Sequence, residues 1–176
     1  AKAVEEIVKK GKVSLVTHSS NFHADDICAT ATLQMFFKLA YPKVKLTTTR
    51  SVDPKVTDAA DILYDIGGTY TPKKLRFDHH QTEGAGKYEN GIKYSSFGLI
   101  WKHFGLSLCA LQTSAETGVM PSKKVVEKQS EILKKKVVMY IDAMDNGQMA
   151  YEAKFENTDV FTVDAFFAMS KIRTSS

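Results

Sequence analysis

Cysteine is nearly absent from this 176-residue chain, which has only two. Cys28 falls in a helical pattern and Cys109 in an apolar stretch. Neither shows the paired spacing of a metal finger or the even set of a disulfide framework, so both read as core thiols in a reducing compartment. Apolar runs approaching the ~20 residues of a membrane span are missing. The first 12 residues carry charges where a secretory leader would be apolar. These absences set the expectation of an intracellular protein with no membrane partner: cytoplasmic, or nuclear or mitochondrial in a eukaryote. Internal repeats and low-complexity segments are also lacking. Histidine is scarce, with five in the chain, which makes its placement informative.

What is present suits one domain. At 43% hydrophobic content a chain of this length can bury a core. A net charge of +4 and a pI near 8.9 make the surface mildly basic, which favours an anionic substrate and permits nucleic acid without requiring it.

Four of the five histidines lie in two clusters. One is Phe77-Asp78-His79-His80-Gln81, the other His18-Ser19-Ser20-Asn21-Phe22-His23-Ala24-Asp25-Asp26. Burying an acid and two adjacent imidazoles is costly unless something binds them. Residues 13–17, β-branched and apolar, read as a buried strand that delivers His18 at its carboxyl end. Residues 59–65 read as a strand ending in Asp65, followed by Gly67-Gly68, and residues 75–77 as a short strand ending at Asp78-His79-His80. Residues 44–50 form a further strand pattern, followed by a turn at Asp53-Pro54. Three strands thus end in His18, Asp65 and Asp78-His79, and in open α/β sheets ligands gather outside those carboxyl ends.

Helical patterns fill the intervals. They cover residues 1–10, 27–41 and 94–105, then a long stretch from Ser122 to Asn146-Gly147, and an apolar tail with Phe161, Val163, Phe166, Phe167 and Met169. Residues 106–120 give no clear pattern. Strands alternating with helices predict an α/β fold: a three-layer, Rossmann-like, mostly parallel sheet flanked by helices. We expect a catalytic domain over residues 1–150, with residues 151–176 as an extension or a linker to a further domain.

Pooled carboxylates and imidazoles match divalent ions, Mn²⁺ fitting a mixed His and Asp set best, with Mg²⁺ as the other candidate. Asp65, alone on its strand end, is placed to bridge a pair of ions. One of Asp25 and Asp26 is expected only to cap the helix that follows. Asp145 reads equally as a ligand or a solvated carboxylate, His103 as a packed side chain, and Lys134-Lys135-Lys136 as a wet helix face.

Five stretches carry a family resemblance. They are Thr17-His18 through Phe22-His23-Ala24-Asp25; Tyr64-Asp65-Ile66-Gly67-Gly68; Arg76-Phe77-Asp78-His79-His80-Gln81; Tyr94-Ser95-Ser96-Phe97-Gly98-Leu99-Ile100-Trp101-Lys102-His103-Phe104-Gly105; and Ile141-Asp142-Ala143-Met144-Asp145-Asn146-Gly147. Together they resemble the Myg (melanocyte-proliferating-gene) family of metal-dependent hydrolases and exonucleases, within the DHH phosphoesterase superfamily. The resemblance implies a DHH-type N-terminal domain, with His18, His23 and Asp65 on one metal and Asp25, Asp65, His79 and Asp142 on the other. His80 would face the scissile phosphate, giving a catalytic group of His80, Asp65 and Asp78.

The function so implied is a two-metal phosphodiesterase using metal-activated water, a 3′-to-5′ exonuclease on RNA or short oligonucleotides. Two other readings stay open: a phosphatase or pyrophosphatase for a small substrate, and a metal-binding interaction module without turnover. The apolar tail is expected to fold back, to join a second domain, or to pair two copies as a homodimer.

Overall fold

In the computed structural model, which describes residues 2–148 together with Glu152, Thr162 and Val163, a five-stranded sheet runs in the order β2-β1-β3-β5-β4. Apart from Val163, the apolar tail pattern lies outside the described residues. Strand β1 (Lys12–Thr17) pairs in parallel with β2 (Lys45–Arg50), from Lys12↔Lys45 to Thr17↔Arg50. On its other side it pairs in parallel with β3 (Ile62–Tyr64) at Leu15↔Ile62. Strand β5 (Arg76–Phe77) continues the parallel set beside β3, and β4 (Tyr70–Thr71) closes the edge antiparallel to β5. The α/β, Rossmann-like architecture read from the sequence is the one observed.

Alternation along the strands divides the apolar residues between two faces. Val13, Leu15, Ile62, Tyr64 and Phe77 meet Leu33, Phe36 and Phe37 of α2 (Ala24–Ala40) and Leu99, Ile100 and Phe104 of α4 (Ser96–Thr117) in the main core. Val4 of α1 (Lys2–Val8) joins this core. On the opposite face Val16, Ala60 and Leu63 make a smaller cluster with Val56 of α3 (Pro54–Asp58).

The elements depart from their sequence-based bounds for identifiable reasons. Helix α3 replaces the expected turn because Pro54 stands at a helix start and the Asp53 side chain accepts a 2.9 Å hydrogen bond from Lys55 N. Helix α4 does not stop at Gly105. A Cβ there would lie 2.7 Å from the Trp101 ring, so the glycine allows an indole to lie against the helix rather than ending it. The unread residues 106–117 are its second half, and Gly118, in the left-handed conformation with φ 73°, terminates it. The long C-terminal pattern is three consecutive pieces, α5 (Lys123–Leu133), a π turn (Lys134–Val138) and α6 (Met139–Asp145).

Candidate metal centre

The carboxyl ends of β1, β3 and β5 and the start of α2 bring two histidine clusters and four carboxylates together. His18, directly after β1, lies with Nε2 2.9 Å from Asp26 Oδ2 and 2.9 Å from Asp65 Oδ2. Its Nδ1 faces Ser20, whose backbone N is at 3.2 Å, so the ring orientation is fixed from behind. Contact with Asp65 raises the His18 pKa; burial opposes this, and the Asp26 charge adds to it.

Asp65 adopts a left-handed backbone with φ 57°, costly for a residue with a Cβ, which turns its carboxylate back over the strand ends. Its two oxygens face different partners. Oδ2 faces His18, whereas Oδ1 lies 3.7 Å from His79 Nε2 and 3.8 Å from His80 Nδ1 and accepts from Ser96 Oγ at 3.3 Å.

The adjacent histidines have distinct settings. His79 Nδ1 donates to the Tyr94 carbonyl at 3.3 Å, and His80 Nδ1 donates to Asp78 Oδ1 at 2.7 Å. The Nε2 atoms of the two rings face each other at 3.2 Å. Asp145 Oδ2 lies 3.3 Å from His79 Nε2. Asp78 is buried. Burial alone would raise its pKa, but the His80 ring, Gly68 N and His80 N donate to it and lower it on balance. Asp78 thus orients His80.

A third set joins His23, the buried Asp25 and Asp145, whose ligand atoms all lie within 4.8 Å of one another. Asp25 and Asp145 both have raised pKa values. For Asp25 burial comes first and then the charges of Asp65, Asp145 and Asp26; for Asp145 burial again leads, His79 pulls it back and Asp65 adds to it. The sets are contiguous, because Asp65 belongs to two of them and Asp145 contacts His79 of another.

Asp25 and Asp26 both point inward from the first turn of α2, where the helix N-terminus favours negative charge. The N-cap is His23 and its side chain makes no capping bond; Asp25 Oδ1 instead accepts from Asp26 N at 2.7 Å, so Asp25 serves the helix start as well as the set with His23 and Asp145. Asp26 is a donor that sequence reasoning left undecided; Arg50 Nη2, 3.0 Å from its Oδ2, is the counter-charge.

Asp142 is not brought into these sets. Its Oδ1 accepts from Ser95 Oγ at 2.6 Å and from Gly98 N at 3.0 Å, and its Oδ2 accepts from Tyr88 Oη at 2.7 Å. This carboxylate caps the N-terminus of α4 from another helix. Burial pushes its pKa up to about 7 although Ser95, Tyr88 and Gly98 pull it down. Asp145, three residues on, is the α6 carboxylate that reaches the histidines. His103 lies apart, bonded through Nε2 to Tyr70 Oη at 2.8 Å.

The donor chemistry fits divalent cations. Five acidic side chains and four imidazoles converge at the strand ends, where His18 Nε2 and the buried Asp25 Oδ2 and Asp26 Oδ1 make no hydrogen bond of good geometry. Two imidazole nitrogens 3.2 Å apart beside carboxylates make a mixed set of N and O donors, and hard-to-borderline divalent cations take such a mixture.

A family model described as "Uncharacterised protein family (UPF0160)", MYG1_exonuc, matches residues 14–170. The chain belongs to the MYG1 family. A MYG1 protein of Schizosaccharomyces pombe is 37% identical over 147 residues, covering 80% of this chain and 42% of the relative. The proteins named MYG1 exonuclease from Bos taurus and Homo sapiens are 37% and 36% identical over 145 and 140 residues, covering 77% and 74% of this chain and 35% of each relative. The chain therefore spans well under half the length of these relatives. No solved structure matches it. Among the described residues no helix is long and apolar enough to cross a membrane.

Proposed function

We propose that this chain carries a metal-dependent phosphodiesterase domain of the DHH type, acting as a 3′-to-5′ exonuclease on RNA or short oligonucleotides. The observation that supports it most strongly is the face-to-face arrangement of His79 Nε2 and His80 Nε2, at 3.2 Å, beside a carboxylate with one oxygen toward each histidine cluster. The two relatives named as exonucleases point to the same class of reaction.

His18, Asp26 and Asp65 would hold one cation; His23, Asp25, His79 and Asp145 would hold the other, with Asp65 shared between the two. Mn²⁺ suits this donor set best. Such a pair supplies an acidified water and neutralises charge on a phosphoryl group. The chain's own residues do the rest. Asp145, not Asp142, is our choice on α6, because the Asp142 oxygens already serve Ser95, Gly98 and Tyr88. His80, whose side chain is 61% exposed, is the member of its pair open to substrate, and Asp78 holds its ring through Nδ1. We assign His80 to a phosphoryl oxygen or the leaving group.

We place the rest of the substrate cleft in the chain that the longer relatives carry beyond this span, or in a second copy joined through residues such as Phe161 and Phe167. Positioning can account for ~7–11 kcal/mol of a barrier, so this span alone should handle a small activated diester better than a polymer. The test is hydrolysis of bis(4-nitrophenyl) phosphate and of an end-labelled RNA by EDTA-treated protein with and without added Mn²⁺. The proposal expects Mn²⁺-dependent cleavage of the small diester. Its absence, with the protein folded and metal-loaded, would reduce the domain to a metal-binding module, and turnover confined to pyrophosphate would make it a pyrophosphatase.

A further inference from the structure

Between His18 and His23 in the sequence comes Phe22, a large apolar side chain that is 51% exposed. The loop leaving β1 carries it immediately before His23. Its ring is not adrift: the Arg50 guanidinium carbon lies 4.0 Å from the ring centroid. Arg50 is itself anchored, through Nη2, to Asp26 Oδ2 at 3.0 Å, to the Ser20 carbonyl at 3.2 Å and to the Asn21 carbonyl at 3.4 Å. The cation thus lies against one face of the ring while tying the loop to Asp26, which touches His18 of the candidate metal centre. Half of the phenylalanine remains open beside that centre.

A half-exposed aromatic ring backed by a guanidinium offers the kind of surface on which nucleobases stack. Every base has a π face, so such a surface binds single strands without reading sequence. Because the backing contacts already fix the ring, less freedom is lost when a ligand stacks on it. We propose that the open face of Phe22, backed by Arg50, is a stacking platform for a base of a single-stranded nucleic acid whose phosphate lies at the metal centre. The platform deepens the proposed phosphodiesterase function and rests on it. It identifies the substrate as one that carries bases, in contrast to pyrophosphate or a simple phosphate ester.

The test is binding of a fluorescent ten-nucleotide RNA and of a matched abasic chain, in Mn²⁺, to the His80→Ala protein, chosen to suppress turnover, with Phe22→Ala, Phe22→Leu and Phe22→Trp added to it. Thermal unfolding of each variant serves as a check on folding. One stacked base predicts that Phe22→Ala and Phe22→Leu each reduce the preference for RNA over the abasic chain by roughly tenfold, and that Phe22→Trp keeps it. An RNA preference that survives Phe22→Ala, or is absent from the start, overturns the platform. So does retention of the preference by Phe22→Leu, which marks a plain apolar contact. The proposed function fails separately: if the protein with His80 intact cleaves no diester yet the preference depends on an aromatic ring at position 22, the platform stands and the hydrolase reading falls.

Discussion

Asp142 Oδ1 accepts a hydrogen bond from Gly98 N at 3.0 Å, joining the last described helix to the start of α4 across 44 residues of sequence. The contact depends on the missing side chain, because a Cβ at position 98 would stand 1.9 Å from Asp142 Oδ2. It leaves Asp142 as the anchor of α4, while Asp145 faces the histidines.

Gly98→Ala should therefore destabilise the protein by about 1–3 kcal/mol or more, by driving a methyl group into a packed, hydrogen-bonded site. Urea unfolding in EDTA measures this. A change within a few tenths of a kcal/mol of the parent would show that the α4 and α6 ends are not locked together.

Asp142→Asn should keep the bound metal, whereas Asp145→Asn should lose part of it. Elemental analysis after dialysis separates the two. Loss of metal from Asp142→Asn with the fold intact would restore Asp142 to the ligand set that the family resemblance implied.

The same carboxylate predicts a pH dependence. Its pKa, pushed up to about 7 in the folded protein, lies above the ordinary value of ~3.9 in an unfolded chain, so between those values the native state holds the extra proton. Its contribution to stability is fully present below the lower value and is lost as pH rises through about 7. Unfolding midpoints in EDTA should thus fall more between pH 5 and pH 8 for the parent than for Asp142→Asn. Parallel slopes would mean that Asp142 does not titrate in this range.

His80→Ala should retain metal and lose ~10²–10³ in turnover of a phosphodiester, the usual effect of removing one contact to developing charge. The pairing of His80 with Asp78 on one side and its exposure on the other lead to this expectation. Atomic absorption beside initial rates gives both readouts; joint loss of metal and rate would place His80 on the cation.

Much of this was legible from residues alone. Apolar runs ending in His18, Asp65 and Asp78 located the strand ends, and with them the face on which the clusters meet. That Asp145 rather than Asp142 faces the histidines was not legible. It depends on the distant Gly98 amide and on a π turn over Lys134–Val138, which shifts the helical phase entering α6. Gly105 misled for a related reason, since its meaning lies in the Trp101 ring beside it. Asp26 could not be told from a cap because its partners, His18, Asp65 and Arg50, come from three strands.

Asp65, whose two oxygens face two histidine clusters, is the hinge of the proposed centre, and Mn²⁺ titration of the Asp65→Asn protein by calorimetry tests its role most directly. The parent should bind about two ions per chain, and the substitution should abolish or cripple both sites together while the fold persists. A variant that still takes up the same number of ions with similar affinity would contradict the shared centre.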